Sequence, residues 1–225
     1  MVNFDKKYFK QIYKAAIESI KHPGKSAKPL PKEDGNDYPK IYVFRHGETF
    51  DNLKRIHSGL RDSKLTQKGI NQAEKLSELL KGKKIDVCIS SSLVRSKDTA
   101  KIALKYHKGV KFETDDRIIE RDYGKLTGRS KVKLMKESPE KEALYRRGYD
   151  TPPPQGESLK DVESRVLPFC EDLVKRVKRD HINIAVSCHG NSMRAIRRYF
   201  ENMSVLEELT AENPLGQDYA EYSIH

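Results

Sequence analysis

The stretch Ile41-Tyr42-Val43-Phe44-Arg45-His46-Gly47-Glu48-Thr49 is the part of the chain from which the fold can be worked out. Its apolar start predicts a buried strand, which ends in a cation and an imidazole. Gly47 permits a sharp turn and a close approach of a ligand. A guanidinium binds phosphate through paired hydrogen bonds, and a neutral imidazole can attack phosphorus. The stretch therefore suggests a phosphate site, although by itself it also fits an exposed turn.

The length of the chain, 225 residues, fits one domain, or one domain with a short additional segment. Its apolar runs are too short to cross a bilayer, and its start lacks the pattern of a signal peptide. Three cysteines without CxxC spacing, Cys88, Cys170 and Cys188, argue against a disulfide framework and favour a reducing compartment. We therefore expect a cytoplasmic protein without membrane association.

The chain carries 44 basic and 33 acidic residues, a net charge of +11. Such a balance suits nucleic acid, acidic membranes or anionic metabolites. Most lysines are scattered among acids on predicted helix faces, and no nucleic-acid-binding motif, zinc-finger spacing or long basic block occurs. We expect a small phosphorylated metabolite as the partner, and no nucleic acid.

The first forty residues contain no reactive cluster. Apolar residues at helical spacing predict an amphipathic N-terminal helix over 1–21, and they are Phe4, Phe9, Ile12, Ala16, Ile17 and Ile20. Residues 22–39, rich in Pro, Gly, Lys and Asp, predict a linker. The catalytic domain would then occupy residues 40–225. We expect the helix to pack on the outside of that domain, or on a partner, and to be dispensable for the chemistry.

From residue 41 onward, predicted strands alternate with predicted helices. The strands are 41–45, 85–89, 110–113, 182–187 and an edge strand at 219–224; the helices are 66–81, 93–106, 138–147, 158–179 and 192–200. Thr66 is the predicted N-cap of the first of these helices, and Pro168 should kink or split the longest. The alternation predicts an α/β fold, a three-layer sandwich with a mostly parallel central sheet flanked by helices.

Reactive residues follow three of these strands: Arg45 and His46, then the serines at 90–92, then His189. Ligands of open α/β sheets bind at the carboxyl ends of the strands, so both histidines are expected to face one pocket. Arg95 lies just inside the next helix, whose start attracts anions. Because Arg95 follows the serines so closely, it is a candidate phosphate ligand. Without that neighbourhood it would be interpreted as a surface cation.

Breaking a phosphate ester also requires an acid that protonates the leaving oxygen. Glu120 is the candidate, since it precedes the turn at Gly124. Nearby phosphate oxygens would raise the pKa of its carboxyl by like charge, which suits a general acid. The alternative is a surface ion pair with Arg121 or Arg117, and spacing alone favours that alternative.

Four motifs in order resemble the histidine phosphatase superfamily: RHGET at 45–49, SSSLVRSKDTA at 90–100, ERDYGKLTG at 120–128 and SCHGNSMRAI at 187–196. The similarity spans about residues 41 to 222. Within the superfamily, ERDYG and the stretch YRRGYDTPPP at 145–154 are most similar to cofactor-dependent phosphoglycerate mutases. The resemblance implies a phosphoglycerate mutase-like fold.

The resemblance also implies roles for the matching residues. His46 would be the nucleophile that becomes phosphohistidine, and Glu120 the proton donor and acceptor. Arg45, Arg95 and His189 would hold the phosphoryl group. The implied substrate-binding positions are Asn52, Ser58, Gly59, Tyr123, Lys131, Arg146, Arg147, Gly190 and Asn191. 2,3-Bisphosphoglycerate would act as the phosphoryl primer, and no metal would be needed.

The chain departs from the mutase pattern in three places. Asp51 stands where the mutases usually have Trp, and the loop at 56–61 lacks their aromatic pair. Only Gln155 and Gly156 separate the proline run from the ESL motif at 157–159, where the mutases carry a longer segment that covers the site. The short link should open the pocket to water, which favours hydrolysis of phosphohistidine.

Three functions therefore stay open. The first is a phosphoglycerate mutase of glycolysis and gluconeogenesis, interconverting 3-phosphoglycerate and 2-phosphoglycerate with some leakage to free phosphate. The second is a phosphatase for a small phosphorylated metabolite. The third is a non-catalytic protein that binds a phosphorylated ligand, which would not need the acid Glu120. The sequence leaves a homo-oligomer as an open alternative.

Overall fold

The computed structural model describes residues 6–25, 29–33 and 38–225. In this part of the chain one sheet is formed by β1 Lys40–Arg45, β2 Val87–Ser90, β3 Lys111–Thr114, β4 Ile184–Cys188 and β5 Ala220–Ser223. The strand order is β3-β2-β4-β1-β5. Only β5, at one edge, runs antiparallel to its neighbour. The predicted α/β fold with a mostly parallel sheet is confirmed.

The helices of the described residues are α1 Lys6–Lys21, α2 Phe50–Leu53, α3 Gln67–Leu80, α4 Val94–Ala103, α5 Lys131–Glu137, α6 Pro139–Arg147, α7 Leu159–Asp180, α8 Gly190–Glu201 and α9 Val205–Thr210. Thr66 caps α3 as predicted, because its side chain accepts a hydrogen bond from the Gly69 N–H. We did not predict α2, α5 and α9, which are too short to show a helical period. No helix of these described ranges combines the length and apolarity that a membrane span requires.

Helices cover both faces of the sheet because its strands are apolar on both sides. Ile41 and Val43 of β1 belong to a core cluster with residues of α7 and α8, whereas Tyr42 and Phe44 belong to a cluster with residues of α3 and α4. Alternate residues of a strand point to opposite faces, so β1 contributes to both clusters. The result is the predicted three-layer sandwich.

The longest helix, α7, continues through Pro168, so of the two predicted outcomes the split is wrong, and the kink stays a prediction. Proline removes one backbone hydrogen bond from a helix interior. Val162 and Val166 before it, and Phe169 and Leu173 after it, are all buried in the same core cluster. This shared apolar face holds both halves of α7 against the sheet.

The N-terminal helix α1 packs on the rest of the chain through its apolar face. Ile12, Ala16 and Ile20 are buried, and Ile12 shares a cluster with Leu159 and Leu209. The predicted face also included Phe4, which lies outside the described residues.

The described parts of the predicted linker are not a free spacer. Leu30 is buried in the main core, and the Pro31 carbonyl accepts a hydrogen bond from the Glu221 N–H at 2.9 Å. Lys32 forms an ion pair with Asp218 at 2.9 Å. Residues 29–33 therefore run beside β5, whose outer edge offers backbone groups that need partners. The composition indicated a loop, and the structure shows that this loop is docked.

Two glycines bring the loop after β1 against the start of α3. A Cβ on Gly69 would lie 2.1 Å from the Glu48 carbonyl oxygen, and one on Gly47 would lie 2.4 Å from the Gly69 carbonyl oxygen. Neither glycine has a positive φ. Close backbone packing, rather than the left-handed turn that glycine favours, is therefore what requires glycine at position 47.

We expect Gly69→Ala to lower both stability and activity, although alanine is the better helix former. The new methyl group must displace the backbone beside His46, at a cost on the order of 1–3 kcal/mol. Gly82→Ala is the matched control, because a Cβ there meets no atom within 4 Å. Thermal unfolding and turnover of both variants provide the measurement. A Gly69→Ala protein that melts and turns over like the wild type would show that the contact does not constrain the loop.

Candidate active site

One small cavity lies at the carboxyl ends of β1, β2 and β4. Four of the five predicted catalytic residues line it directly, namely Arg45, His46, Arg95 and Glu120. Most predicted substrate-binding residues line it as well, namely Asn52, Ser58, Gly59, Tyr123, Lys131, Arg146, Gly190 and Asn191. The structure therefore brings together residues that are far apart in sequence, as the strand-end argument predicts.

His46 is a buried, neutral imidazole with one nitrogen free. Its Nδ1 lies 2.7 Å from the Gly47 carbonyl oxygen. A carbonyl can only accept, so Nδ1 carries the proton and Nε2 keeps its lone pair. Burial and the charges of Arg95 and Arg45 hold the pKa of His46 well below its usual value. The ring therefore has the protonation state that a nucleophile needs.

His189 lies beside His46, with the two ring centroids 5.1 Å apart. Its Nε2 lies 2.7 Å from the Ser91 Oγ. Its Nδ1 is buried and has no hydrogen-bond partner among the described residues. Burial, and then the charge of Arg95, lower the pKa of His189 well below its usual value. Ser91, from the predicted serine run, thus orients the second histidine.

Both site arginines are fixed by backbone carbonyls and keep a free N–H. Arg45 donates from Nη1 to the Asn213 carbonyl at 3.0 Å. Arg95 donates to the Arg61 and Gly59 carbonyls, both at 3.0 Å. The Nε atoms of Arg45 and Arg95 are buried without a partner in the described part of the chain. Buried unpaired donors are costly, so this arrangement favours an anion that accepts from them.

Glu120 lies in the cavity, which excludes the alternative of a surface ion pair. Its Oε1 accepts hydrogen bonds from the Arg121 backbone N–H and the Asn191 Nδ2, both at 2.8 Å. Arg117 instead pairs with Asp115 and Asp172. The residue is only 8% exposed.

The pKa of Glu120 differs from our sequence-based expectation. Burial by itself would raise it, but the hydrogen bond from the Arg121 N–H and the charge of Arg95, followed by the Asn191 bond and the charge of Arg45, bring it to about 2. We expected like charge from a phosphate to raise the pKa; without a phosphate, the charges of Arg95 and Arg45 lower it instead. Glu120 is therefore ionised before a ligand enters.

One atom each of His46, Glu120 and His189 could in principle bind a metal ion, since these atoms lie within 4.8 Å of one another. The surrounding charge opposes this, because Arg95 and Arg45 already disfavour positive charge on His46. The donor set fits an anion better than a divalent cation. That no metal is needed stays a prediction.

A second cationic region lies in the same cavity. Burial, and then the neighbouring Arg146, lower the pKa of Lys131 to about 8. Burial would raise the pKa of Tyr123, but Arg121 and Arg146 lower it to about 8. Cations crowded in this way are stabilised by an anionic partner. The cavity therefore suits a ligand with two anionic ends.

A buried pair that we did not predict supports this region from behind. His57 Nε2 lies 3.1 Å from Glu142 Oε2, with both side chains fully buried. The His57 ring packs 4.6 Å from the Tyr123 ring. Burial raises the pKa of Glu142 to about 7. Burial, and then the charge of Lys131, lower the pKa of His57 well below its usual value. No sequence motif connects these residues, which lie 85 positions apart.

Arg147 does not line this cavity, which corrects our prediction for it. Its guanidinium donates to the Leu209 carbonyl at 3.0 Å and to Glu212 at 2.6 Å, and it is almost fully buried. It lines a separate groove beside α1. Successive helical residues point about 100° apart, so Arg146 reaches the cavity and Arg147 turns away.

Two residues that we did not predict also line the cavity, Arg194 and Glu212. Arg194 lies four residues after Gly190 in α8, and that helical spacing within the motif could have indicated it. Glu212 accepts from Arg194 at 3.1 Å and lies 3.5 Å from Arg45. Burial would raise the pKa of Glu212, but the neighbouring guanidiniums, Arg147 first, lower it to about 2. Only the tertiary fold could reveal Glu212.

Comparisons with known proteins show which family and which fold the chain resembles. The family model described as histidine phosphatase superfamily (branch 1) matches residues 41–219. A protein named 2,3-bisphosphoglycerate-dependent phosphoglycerate mutase from Nitrobacter winogradskyi is 36% identical over 186 residues, which cover 80% of this chain and 86% of the relative. A protein of the same name from a Methylobacterium species is 39% identical over 182 residues, which cover 78% and 84%. The solved structure of a mycobacterial glucosyl-3-phosphoglycerate phosphatase has a TM-score of 0.73, covering 82% of this chain and 91% of its own, at 22% identity, which shows likeness of fold alone.

Proposed function

Because the chain belongs to the histidine phosphatase superfamily, a family of enzymes, we propose that it transfers a phosphoryl group through a phosphohistidine at His46. The specific form of the proposal is a 2,3-bisphosphoglycerate-dependent phosphoglycerate mutase. One observation carries it. Arg45 and Arg95 line the same cavity as the neutral His46 imidazole, and His189 lies beside it; Arg45 Nε, Arg95 Nε and His189 Nδ1 are buried without a protein partner in the described part of the chain.

The chemistry follows from the geometry around His46. The free Nε2 attacks phosphorus, so an N–P bond forms while the bond from phosphorus to the substrate oxygen breaks. Arg45, Arg95 and His189 stabilise the charge on the remaining phosphoryl oxygens. Glu120 is ionised in the empty cavity, so it first takes up a proton that enters with the substrate phosphate and delivers it to the leaving oxygen. It then takes a proton back from the next acceptor. That acceptor is a glycerate hydroxyl in a mutase and water in a phosphatase.

The second cationic region supports a glycerate as the substrate. Lys131 and Arg146 would pair with a carboxylate or a second phosphate, and the remaining cavity walls would fix the sugar-acid chain. Asn52, Ser58, Gly59, Tyr123, Gly190 and Asn191 form those walls. The relatives of similar sequence are named as mutases that depend on 2,3-bisphosphoglycerate, so the proposal includes that compound as the phosphoryl primer.

A phosphatase is the second candidate, and the short link after the proline run favours it. Neither Gln155 nor Gly156 lines the cavity. A Cβ on Gly156 would lie 2.6 Å from the Asp122 carbonyl oxygen, so the link packs down on the loop that carries Glu120. These two residues therefore do not shield the cavity, and the phosphatase candidate requires that water compete for the phosphoryl group.

The proposal also covers the setting of the enzyme. We propose a small phosphorylated metabolite as the partner and the cytoplasm as the location. The free, buried thiols of Cys88, Cys170 and Cys188 support a reducing compartment. That nucleic acid is not a partner stays a prediction, and a homo-oligomer stays an open alternative.

Incubation with 3-phosphoglycerate and a trace of 2,3-bisphosphoglycerate is expected to yield 2-phosphoglycerate, with slower release of inorganic phosphate. Without the primer, the isomerisation should lag, because His46 starts unphosphorylated. Coupled assays for 2-phosphoglycerate and for free phosphate provide the measurement. Phosphate without any 2-phosphoglycerate would replace the mutase by the phosphatase. If neither product forms, and no phosphate is released from other small phosphorylated metabolites, the result would favour a binding protein.

A further inference from the structure

We propose that α1 is part of the substrate site and that Ser19 is a positioning residue, which fixes the guanidinium of Arg146. This inference rests on the proposed function of the cavity. It concerns a segment outside residues 41–219, the part of the chain that matches the family model. It also opposes our expectation that the N-terminal helix is dispensable for the chemistry.

The contact between α1 and the cavity is a directed hydrogen bond. Arg146 Nη2 donates to Ser19 Oγ at 2.6 Å. The hydroxyl hydrogen of Ser19 is directed to the Ala16 carbonyl, 2.9 Å away. Because a serine has one hydroxyl hydrogen, this arrangement leaves the oxygen as an acceptor for the cation. The bond is charge-assisted and lies at a buried serine, where such bonds are strong.

Other groups do not hold Arg146 as firmly. Its Nε lies 3.8 Å from Glu142 Oε1 and has no hydrogen-bond partner among the described residues. Glu142 itself is paired with His57 through its other oxygen. Ser19 is therefore the neighbour that sets where the far end of the Arg146 side chain lies, which is the end available to an anionic ligand.

Two further contacts fasten the end of α1 to the cavity walls. Arg55 Nε donates to the Ile20 carbonyl at 2.8 Å, while its Nη1 donates to the Asn52 carbonyl at 2.9 Å. Arg55 thus provides a hydrogen-bond donor for the Ile20 carbonyl, one of the carbonyls that the end of a helix leaves without a partner. On the other side, the Gly24 N–H lies 3.3 Å from Glu212 Oε1. These contacts link α1 to two cavity-lining residues besides Arg146, namely Asn52 and Glu212.

Ser19→Ala tests the inference because it removes only the hydroxyl oxygen that accepts from Arg146. Alanine is a good helix former, so α1 should persist. We expect the Kd for 3-phosphoglycerate to rise on the order of tenfold, the effect of losing one charge-assisted hydrogen bond. The kcat/KM for an aryl phosphate with an uncharged ring should stay unchanged, because that substrate has no second anionic end. Calorimetric titration and phosphate release provide the two measurements.

Ser77→Ala is the matched control. Ser77 is fully buried in α3 and donates to the Glu74 carbonyl at 2.6 Å, the same i−3 bond without a guanidinium. Its Kd for 3-phosphoglycerate should equal that of the wild type. An unchanged Kd in Ser19→Ala would overturn the inference, as would an equal rise in Ser77→Ala or a parallel loss with the aryl phosphate.

The two proposals fail in distinguishable ways. A wild-type protein that binds 3-phosphoglycerate but neither transfers nor hydrolyses a phosphoryl group would contradict the proposed function, and the binding comparison would still decide the role of Ser19. A wild-type protein that does not bind 3-phosphoglycerate would overturn the inference about Ser19 and the mutase form of the proposed function, while formation of a phosphohistidine at His46 from another phosphorylated metabolite would still support phosphoryl transfer.

Discussion

His46→Ala is expected to abolish phosphoryl transfer while the protein remains folded. The variant keeps the cations that bind phosphate but lacks the nitrogen that attacks it. We expect a loss on the order of 10⁴-fold or more in kcat, which corresponds to about 5 kcal/mol of barrier. The His46 side chain makes its hydrogen bond with the neighbouring Gly47 carbonyl, so its loss leaves no distant group unpaired.

Transfer of labelled phosphate from a substrate measures this result directly. The wild type should form an acid-labile adduct that maps to His46, and His46→Ala should form none. His107→Ala is a suitable control, because that half-buried histidine contacts the Lys83 carbonyl rather than the cavity. An adduct that persists in His46→Ala, or that maps to His189 or Ser91, would contradict the assignment of the nucleophile.

The part of the candidate site around His46 was predictable from sequence because parallel strands end at one edge of the sheet. Arg45 ends β1, His46 follows it, and His189 follows β4, the neighbouring strand of the sheet. Once the strands were recognised, their placement therefore predicted that these residues lie together. Glu120 was less certain, since no strand leads into it and its position depends on a loop. The resemblance of the motif, rather than the spacing, predicted that Glu120 lies in the cavity.

The surroundings of the centre were not predictable, because they depend on contacts between distant segments. Ser19 meets Arg146 across 127 positions, and no local pattern marks either residue for the other. The same holds for Glu212, which follows a helix too short to show a period. Arg146 and Arg147 are chemically identical neighbours, and only the direction in which α6 presents them decides which one enters the cavity.

Glu120→Gln has the second largest expected effect, a loss of about two to four orders of magnitude in turnover of ordinary phosphate esters. Glutamine keeps the size of the side chain and can still accept from the Arg121 N–H, so the fold should persist. It cannot deliver a proton to the leaving oxygen. A substrate with a good leaving group needs little protonation and should lose much less. Equal losses for both substrates would show that Glu120 only positions its neighbours.

The low pKa of Glu120 determines how this test depends on pH. Because the pKa of Glu120 is about 2, its carboxyl carries no proton near neutral pH in the unliganded enzyme. The proton must therefore enter with the substrate. The wild-type kcat/KM reports the ionisation of the free enzyme and the free substrate. It should fall as the pH rises above the second pKa of the substrate phosphate, about 6, because the substrate then no longer carries the proton. Lowering the pH to 6.5 should not reduce kcat/KM through protonation of His46, because the pKa of His46 lies well below that value. The substrate with the good leaving group needs little protonation, so its wild-type kcat/KM should show a much weaker alkaline fall. An equal fall for both substrates would contradict the proton route through Glu120.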